Sequence, residues 1–80
     1  MPCLMKTGRY YYYDSNDLNA MVVKSAHEYH ASVGRFPNRA HVNPITCPTE
    51  TIFTVDGKEI IVAPDPVVVK KIIWMGEGVE

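Results

Sequence analysis

Histidine and cysteine are the residues of this chain whose types and spacing could support chemistry. The segment His27–His30 (His-Glu-Tyr-His) places two imidazoles three residues apart, and His41 and Cys47 follow it. The zinc-protease pattern needs histidines four apart with a glutamate beside the first, so it does not match. Imidazole and thiolate groups do bind Zn²⁺. However, helical periodicity puts His27 opposite the apolar stripe of its helix, as a surface residue, and we predict no metal site and no cofactor.

A pocket beside the C-terminal end of the same helix is an alternative hypothesis for small-ligand binding or weak catalysis. In it, His30, Arg39, His41 and Cys47 would converge. A reactive cysteine needs a group that stabilises its thiolate, such as a helix N-terminus or a neighbouring cation. Cys47 stands between a threonine and a proline with no such signal, which favours a half-buried loop cysteine. We therefore predict no catalytic residue and a protein that is not an enzyme.

Four consecutive tyrosines, Tyr10–Tyr13, follow Arg9 and could form a platform on which unpaired bases stack. Arg35, Arg39 and the pair Lys70–Lys71 would extend a basic track. Against this, 8 basic and 9 acidic residues give a net charge of −1, whereas nucleic-acid-binding domains are usually basic. Tyrosine is also common in strands and at protein interfaces. Single-stranded nucleic-acid binding is therefore a third hypothesis, behind protein association.

One long helix must position these side chains. The cluster Asp14–Asp17 (Asp-Ser-Asn-Asp) offers side-chain acceptors for the free N–H groups of a helix start. The following residues repeat with helical periodicity, which predicts a helix over about Asp17–Val33. Gly34 provides a left-handed stop, and Pro37 prevents the helix from resuming. Its apolar stripe comprises Met21, Val22, Ser25, Ala26, Tyr29 and Val33.

Short β-prone segments surround this helix. Asp56-Gly57 between two β-branched runs predicts a hairpin with a type I′ turn, and Pro64-Asp65-Pro66 breaks the chain before the last strand. The order β-α-β-β-β-β predicts an α+β fold, with the helix on one face of a mainly antiparallel sheet of four to five strands. We expect a single domain over residues 1–80, with 1–8 and 76–80 frayed. The predicted strands are Arg9–Tyr13 at an edge, Arg39–Asn43, Thr51–Val55, Lys58–Val62 and Val67–Met75.

The last predicted strand is apolar on both faces, and one helix can cover only one of them. Burial of apolar surface is worth roughly 25 cal/mol per Å², so an 80-residue fold should not leave the other face in water. The tyrosine strand could fold over it within one chain. A second copy of the chain is the cover we favour, because self-association often stabilises small folds. The predicted contact residues are Tyr10, Tyr12, Val23, Ile73, Trp74 and Met75.

The chain carries features of a cytoplasmic protein. Two cysteines are too few for a disulfide scaffold, and Met1–Lys6 lacks the apolar core of a signal peptide. No run approaches the ~18 apolar residues of a membrane helix. We therefore expect a cytoplasmic location, with no membrane contact.

The order of the predicted helix and strands is similar to that of one group of proteins. A capped helix is followed by the strand Pro37–Pro44, a hairpin, and then Val62–Pro66 before the last strand. Over about residues 15–75 this arrangement resembles small uncharacterised bacterial proteins of mobile elements, such as phage and integron gene cassettes. The resemblance implies no catalytic residue and no known activity.

Overall fold

The computed structural model describes residues 7–14 and 17–77 and has one helix packed on a five-stranded sheet. The predicted α+β class and the order β-α-β-β-β-β are confirmed. Predictions for residues 1–6 and 78–80 lie outside the described residues. In space the strands run β1-β5-β2-β4-β3. The elements are β1 (Thr7–Tyr12), α1 (Leu18–Val33), β2 (Arg39–Val42), β3 (Thr51–Val55), β4 (Lys58–Pro64) and β5 (Ile72–Glu77).

Helix α1 begins and ends where its local signals predict. The side chain of Asp17 accepts a hydrogen bond from the backbone N–H of Asn19 at 3.2 Å, which caps the N-terminus. At the other end Gly34 has φ of +92°, and its N–H donates to the carbonyl of His30 at 2.8 Å. Glycine adopts this left-handed conformation without the steric penalty of a Cβ. The fully buried positions of the helix are Met21, Val22, Ser25, Ala26 and Tyr29, all within the predicted stripe.

The sheet is mainly antiparallel, as predicted, but it is mixed, because the pair β2 and β4 is parallel while the other three strand pairs are antiparallel. The predicted hairpin forms, and its turn residues Asp56 and Gly57 have φ of +50° and +79°, as a type I′ turn requires. After β2 the chain reverses direction through residues 43–50. Strand β3 then lies two positions away from β2 in the sheet, which leaves one place between them. The tight hairpin then returns β4 into the space between β2 and β3, so β4 lies parallel to β2.

The prediction of a long last strand over Val67–Met75 is wrong. The Asp65 carboxylate accepts a hydrogen bond from the Val67 N–H at 3.0 Å, and the Asp65 carbonyl accepts one from the Val68 N–H, which curls the chain into a turn. Lys71 has φ of +67°, so the strand starts only at Ile72. It then continues through Glu77, because β1 and β2 pair with it on either side. Gly8 and Gly76, which we expected to be frayed, are paired partners in this ladder.

Helix α1 covers one face of the sheet and leaves the other without a helix or strand packed on it among the described residues. Alternate strand residues such as Ala40, Val42, Ile73 and Met75 face α1 and have no exposed surface. Their sequence neighbours point the other way. We call this second surface the open face. By strand register it comprises Gly8, Tyr10, Tyr12, Arg39, His41, Ile52, Thr54, Glu59, Ile61, Ala63, Ile72, Trp74 and Gly76.

Candidate functional site: the open face of the sheet

An aromatic row crosses the centre of the open face. The strand register puts Tyr10 opposite Trp74, and Trp74 opposite His41. The rings of His41 and Trp74 are 4.9 Å apart and tilted by 38°. His41 also lies beside Asp65, with 3.1 Å between Nδ1 and Oδ2, so the loop before β5 holds the imidazole in place. The row is therefore a fixed surface contributed by three neighbouring strands.

Trp74 is only 8% exposed although it lies on the open face. Gly8 of the neighbouring strand leaves room for the indole, because a Cβ added there would overlap the ring of Trp74. The indole therefore lies close against the backbone of β1. A glycine inside a strand often marks such a close approach. The sequence prediction missed this role because it placed Gly8 in a frayed segment.

The open face combines exposed apolar groups with little net charge. Tyr10 and Tyr12 are each 64% exposed, and Ile52 is 59% exposed. The charged groups here are Arg39 and Asp65, with Glu59 at the margin, where β4 begins. The face is therefore suited to contact with another apolar surface more than with a polyanion.

The six predicted contact residues do not share one surface. Tyr10, Tyr12 and Trp74 lie together on the open face. Ile73 and Met75 are fully buried under α1, because they alternate with Trp74 along β5, and they offer no surface to a second chain. The remaining residue, Val23, lies on the outer side of the helix and is partly exposed.

The residues of the predicted ligand pocket do not converge either. A cleft of about 480 Å³ does open beside the C-terminal end of α1, and His30 lines it. Arg39 and His41 instead lie on the open face, and Cys47 is buried in the core. The Cys47 thiol donates to the carbonyl of Thr49 at 3.0 Å. These three residues do not line the cleft.

The two histidines of the His-Glu-Tyr-His segment contact neighbouring side chains of the fold. His27 is exposed and has its Nε2 3.0 Å from Oδ2 of Asp56 in the hairpin turn. His30 stacks on Phe36, with 4.4 Å between the ring centroids. Within the described part of the chain, no group of three or more histidine, cysteine, aspartate or glutamate side chains is placed to hold a metal ion.

A polar network joins the end of α1 to the end of β5. Arg35 donates from Nε and Nη2 to the carboxylate of Glu77, at 3.0 Å and 2.8 Å. The hydroxyl of Tyr29 donates to the same carboxylate at 2.8 Å. These hydrogen bonds favour the charged carboxylate and lower the pKa of Glu77. Burial and then the bond to Glu77 raise the pKa of Tyr29 to about 12.

This network predicts an acid-sensitive contribution to stability. Because the pKa of Glu77 is lower in the folded chain than its ordinary value of 4.5, its contribution is present above pH 4.5 and is lost as the pH falls through the folded pKa. Thermal unfolding of Glu77→Gln should therefore give a lower Tm than wild type at pH 7, with the gap closing below pH 4.5. Glu59→Gln, at an exposed residue, should follow wild type throughout. A Glu77→Gln gap that is constant from pH 3 to pH 7 would contradict the assignment.

Comparisons of the chain with known protein families, curated proteins and solved structures gave no match. The resemblance to proteins of mobile elements therefore stays a prediction. Across the described residues no helix is both long enough and apolar enough to cross a membrane.

Proposed function

We propose that the protein acts by self-association, in which the open face of one copy packs on the open face of a second. The observation that carries this proposal is the exposure of Tyr10 and Tyr12, 64% each, beside the fixed pair of Trp74 and His41. Tyrosine and tryptophan are enriched at protein interfaces, where they supply large contact areas. Covering this row would remove apolar surface from water at roughly 25 cal/mol per Å².

We favour a second copy as the partner because the open face carries charges of both signs, Arg39 and Asp65, beside its aromatic row. A two-fold axis makes the same patch meet itself in reverse, so Arg39 of one copy can approach the acidic Asp65 margin of the other. Two sheets pack face to face at about 10 Å separation. A stable interface buries about 600–1,000 Å² on each partner. The chain exposes 4828 Å² in all, so an interface of this size would cover roughly an eighth to a fifth of its surface.

The charge of the open face argues against single-stranded nucleic acid as the partner. Affinity for nucleic acid comes mainly from lysine and arginine side chains that neutralise phosphates. By strand register only Arg39 contributes a permanent positive charge to the open face, and Glu59 and Asp65 contribute negative ones. Nearby, Lys71 is held by Asp14, with 2.7 Å between Nζ and Oδ1. Apolar protein association is the better match.

Sedimentation of wild type, Tyr10→Glu and Val23→Glu tests the proposal. At 100 μM, wild type should have at least twice the 9.0 kDa mass of the chain, with a Tm that rises with concentration. Tyr10→Glu should weaken association at least tenfold, because two-fold symmetry puts two carboxylates into one apolar interface. Val23→Glu is the matched control: it makes the same change of charge on the outer helix face and should associate like wild type.

Other outcomes would reject the open face as the interface. A wild-type monomer at 100 μM with a Tm independent of concentration would contradict self-association. Loss of association in Val23→Glu alone would place the interface on the helix. Submicromolar, salt-sensitive binding of an oligonucleotide that is lost when Tyr10 and Tyr12 become alanine would favour nucleic-acid binding instead.

A further inference from the structure

The cleft beside the end of α1 is built from one turn of the chain and the start of β4. It has a volume of about 480 Å³, within the 300–1,000 Å³ range of small-molecule sites. The left-handed Gly34 turns the chain out of the helix, and Phe36 then folds back on His30. The two rings are 4.4 Å apart and within 22° of parallel, so they form one stacked wall. Pro37, which is buried, follows Phe36 and also lines the cleft.

Charged groups surround that wall. Arg35 lines the cleft, and its guanidinium is held by Glu77, which Tyr29 holds in turn. Nε and Nη2 of Arg35 donate to Glu77, so Nη1 is the guanidinium nitrogen that remains available to a ligand. Lys58 and Glu59 also line the cleft, and both are exposed. Neither side chain has a hydrogen-bond or ion-pair partner within residues 7–14 and 17–77.

We propose that this cleft binds a small ligand with a planar aromatic ring, an anionic group and a ring amine. The ligand ring would stack on the outer face of His30, which is exposed and whose other face stacks on Phe36, since flat aromatic groups prefer offset or parallel contact. The anion would lie against Lys58 and the free edge of Arg35, where charge-assisted hydrogen bonds are strongest. The carboxylate of Glu59 would accept from the amine. Adenosine monophosphate and aminobenzoates share this chemistry.

The three histidines of the chain allow a direct test by NMR. His30 is in the cleft wall, and His41 is on the open face. The ring of His27 is roughly perpendicular to that of Phe36, with 6.2 Å between the ring centroids. Adenosine monophosphate, adenosine, inorganic phosphate and 4-aminobenzoate would each be titrated into the whole chain. A probe that carries both an amine-bearing ring and an anion should shift the NMR signals of the His30 ring protons and leave those of His41 unchanged. A response to adenosine monophosphate alone identifies a phosphate ligand, and one to aminobenzoate alone a carboxylate ligand.

Two substitutions separate binding from folding. Lys58→Gln should weaken binding of the responding probe about tenfold and leave the Tm unchanged, because the side chain is exposed. Lys24→Gln removes the same charge from the middle of α1 and should change the affinity less than twofold. No shift of His30 with any probe at 10 mM, equal shifts at His41, or equal weakening in the two variants would overturn the proposal.

This site is centred away from the proposed interface and shares with the open face only Glu59 at its margin. The cleft lies at the end of the helix, and Tyr10 and Tyr12 do not line it. Tyr10→Glu should therefore bind the probe with wild-type affinity even where it no longer associates. Loss of probe binding in Tyr10→Glu would overturn the cleft as the site and leave the interface standing.

Discussion

Ala26→Asp is expected to unfold the protein. Ala26 has no exposed surface and lies on the face of α1 that packs against the sheet. A carboxylate there would have no water and no cation, and burying an unpaired charge costs several kcal/mol even when the group neutralises itself by binding a proton. Small domains have only about 5–15 kcal/mol of total stability. Circular dichroism at 25 °C should show loss of the cooperative thermal transition.

The matched control is Ala31→Asp, which makes the same change on the exposed side of the same helix. Its charge stays in water, and the remaining cost is about 0.3–1 kcal/mol from the negative end of the helix dipole. Equal losses of stability in Ala26→Asp and Ala31→Asp would show that the helix does not pack by the stripe around Ala26. A folded Ala26→Asp would show the same.

Local signals account for the parts of the fold that the sequence predicts well. The Asp17 cap, the Gly34 stop and the Asp56-Gly57 turn act within a few residues of the chain, and each forms as expected. The start of β5 also depends on local geometry, but Lys71 is not a residue whose type indicates a positive φ. The apolar run from Val67 therefore predicts a strand, whereas the structure has a turn there.

Long-range pairing explains what the sequence does not predict. The parallel pairing of β2 with β4 depends on where the whole hairpin is placed, and no dipeptide specifies that. Likewise, Gly76 looks like part of a tail, yet it is paired on both sides because β5 lies between β1 and β2.

In the candidate sites, too, local patterns predict some features, and the others depend on long-range pairing. The alternation of strand residues predicts that Tyr10 and Tyr12 share a face, and they do. With apolar residues on both sides of β5, alternation alone does not say whether Ile73 or Trp74 faces the helix. The hypothesis of a pocket at the C-terminal end of α1 included His30, which does line the cleft, but it missed Lys58, because Lys58 is far from His30 in sequence and approaches it only in the fold.

Gly8→Ala is expected to disturb the open face although it adds only one methyl group. The added Cβ would overlap the indole of Trp74, so the ring must leave its place or the edge strand must detach. Overpacking of this kind costs about 1–3 kcal/mol. We expect a lower Tm and a red shift of fluorescence from Trp74, the sole tryptophan, because the indole would move into water. Self-association should weaken as well, since the aromatic row would be displaced.

A double-mutant cycle with Trp74→Val isolates the cause. Without the indole, the space beside Gly8 is free, and alanine should be neutral or stabilise the strand by about 0.5–1 kcal/mol, as it does elsewhere relative to glycine. The cost of Gly8→Ala should therefore disappear or change sign in the Trp74→Val background. An equal cost in both backgrounds would mean that the glycine serves the backbone of β1 and not the ring. The packing of Trp74 over Gly8, on which the fixed aromatic row depends, would then have to be rejected.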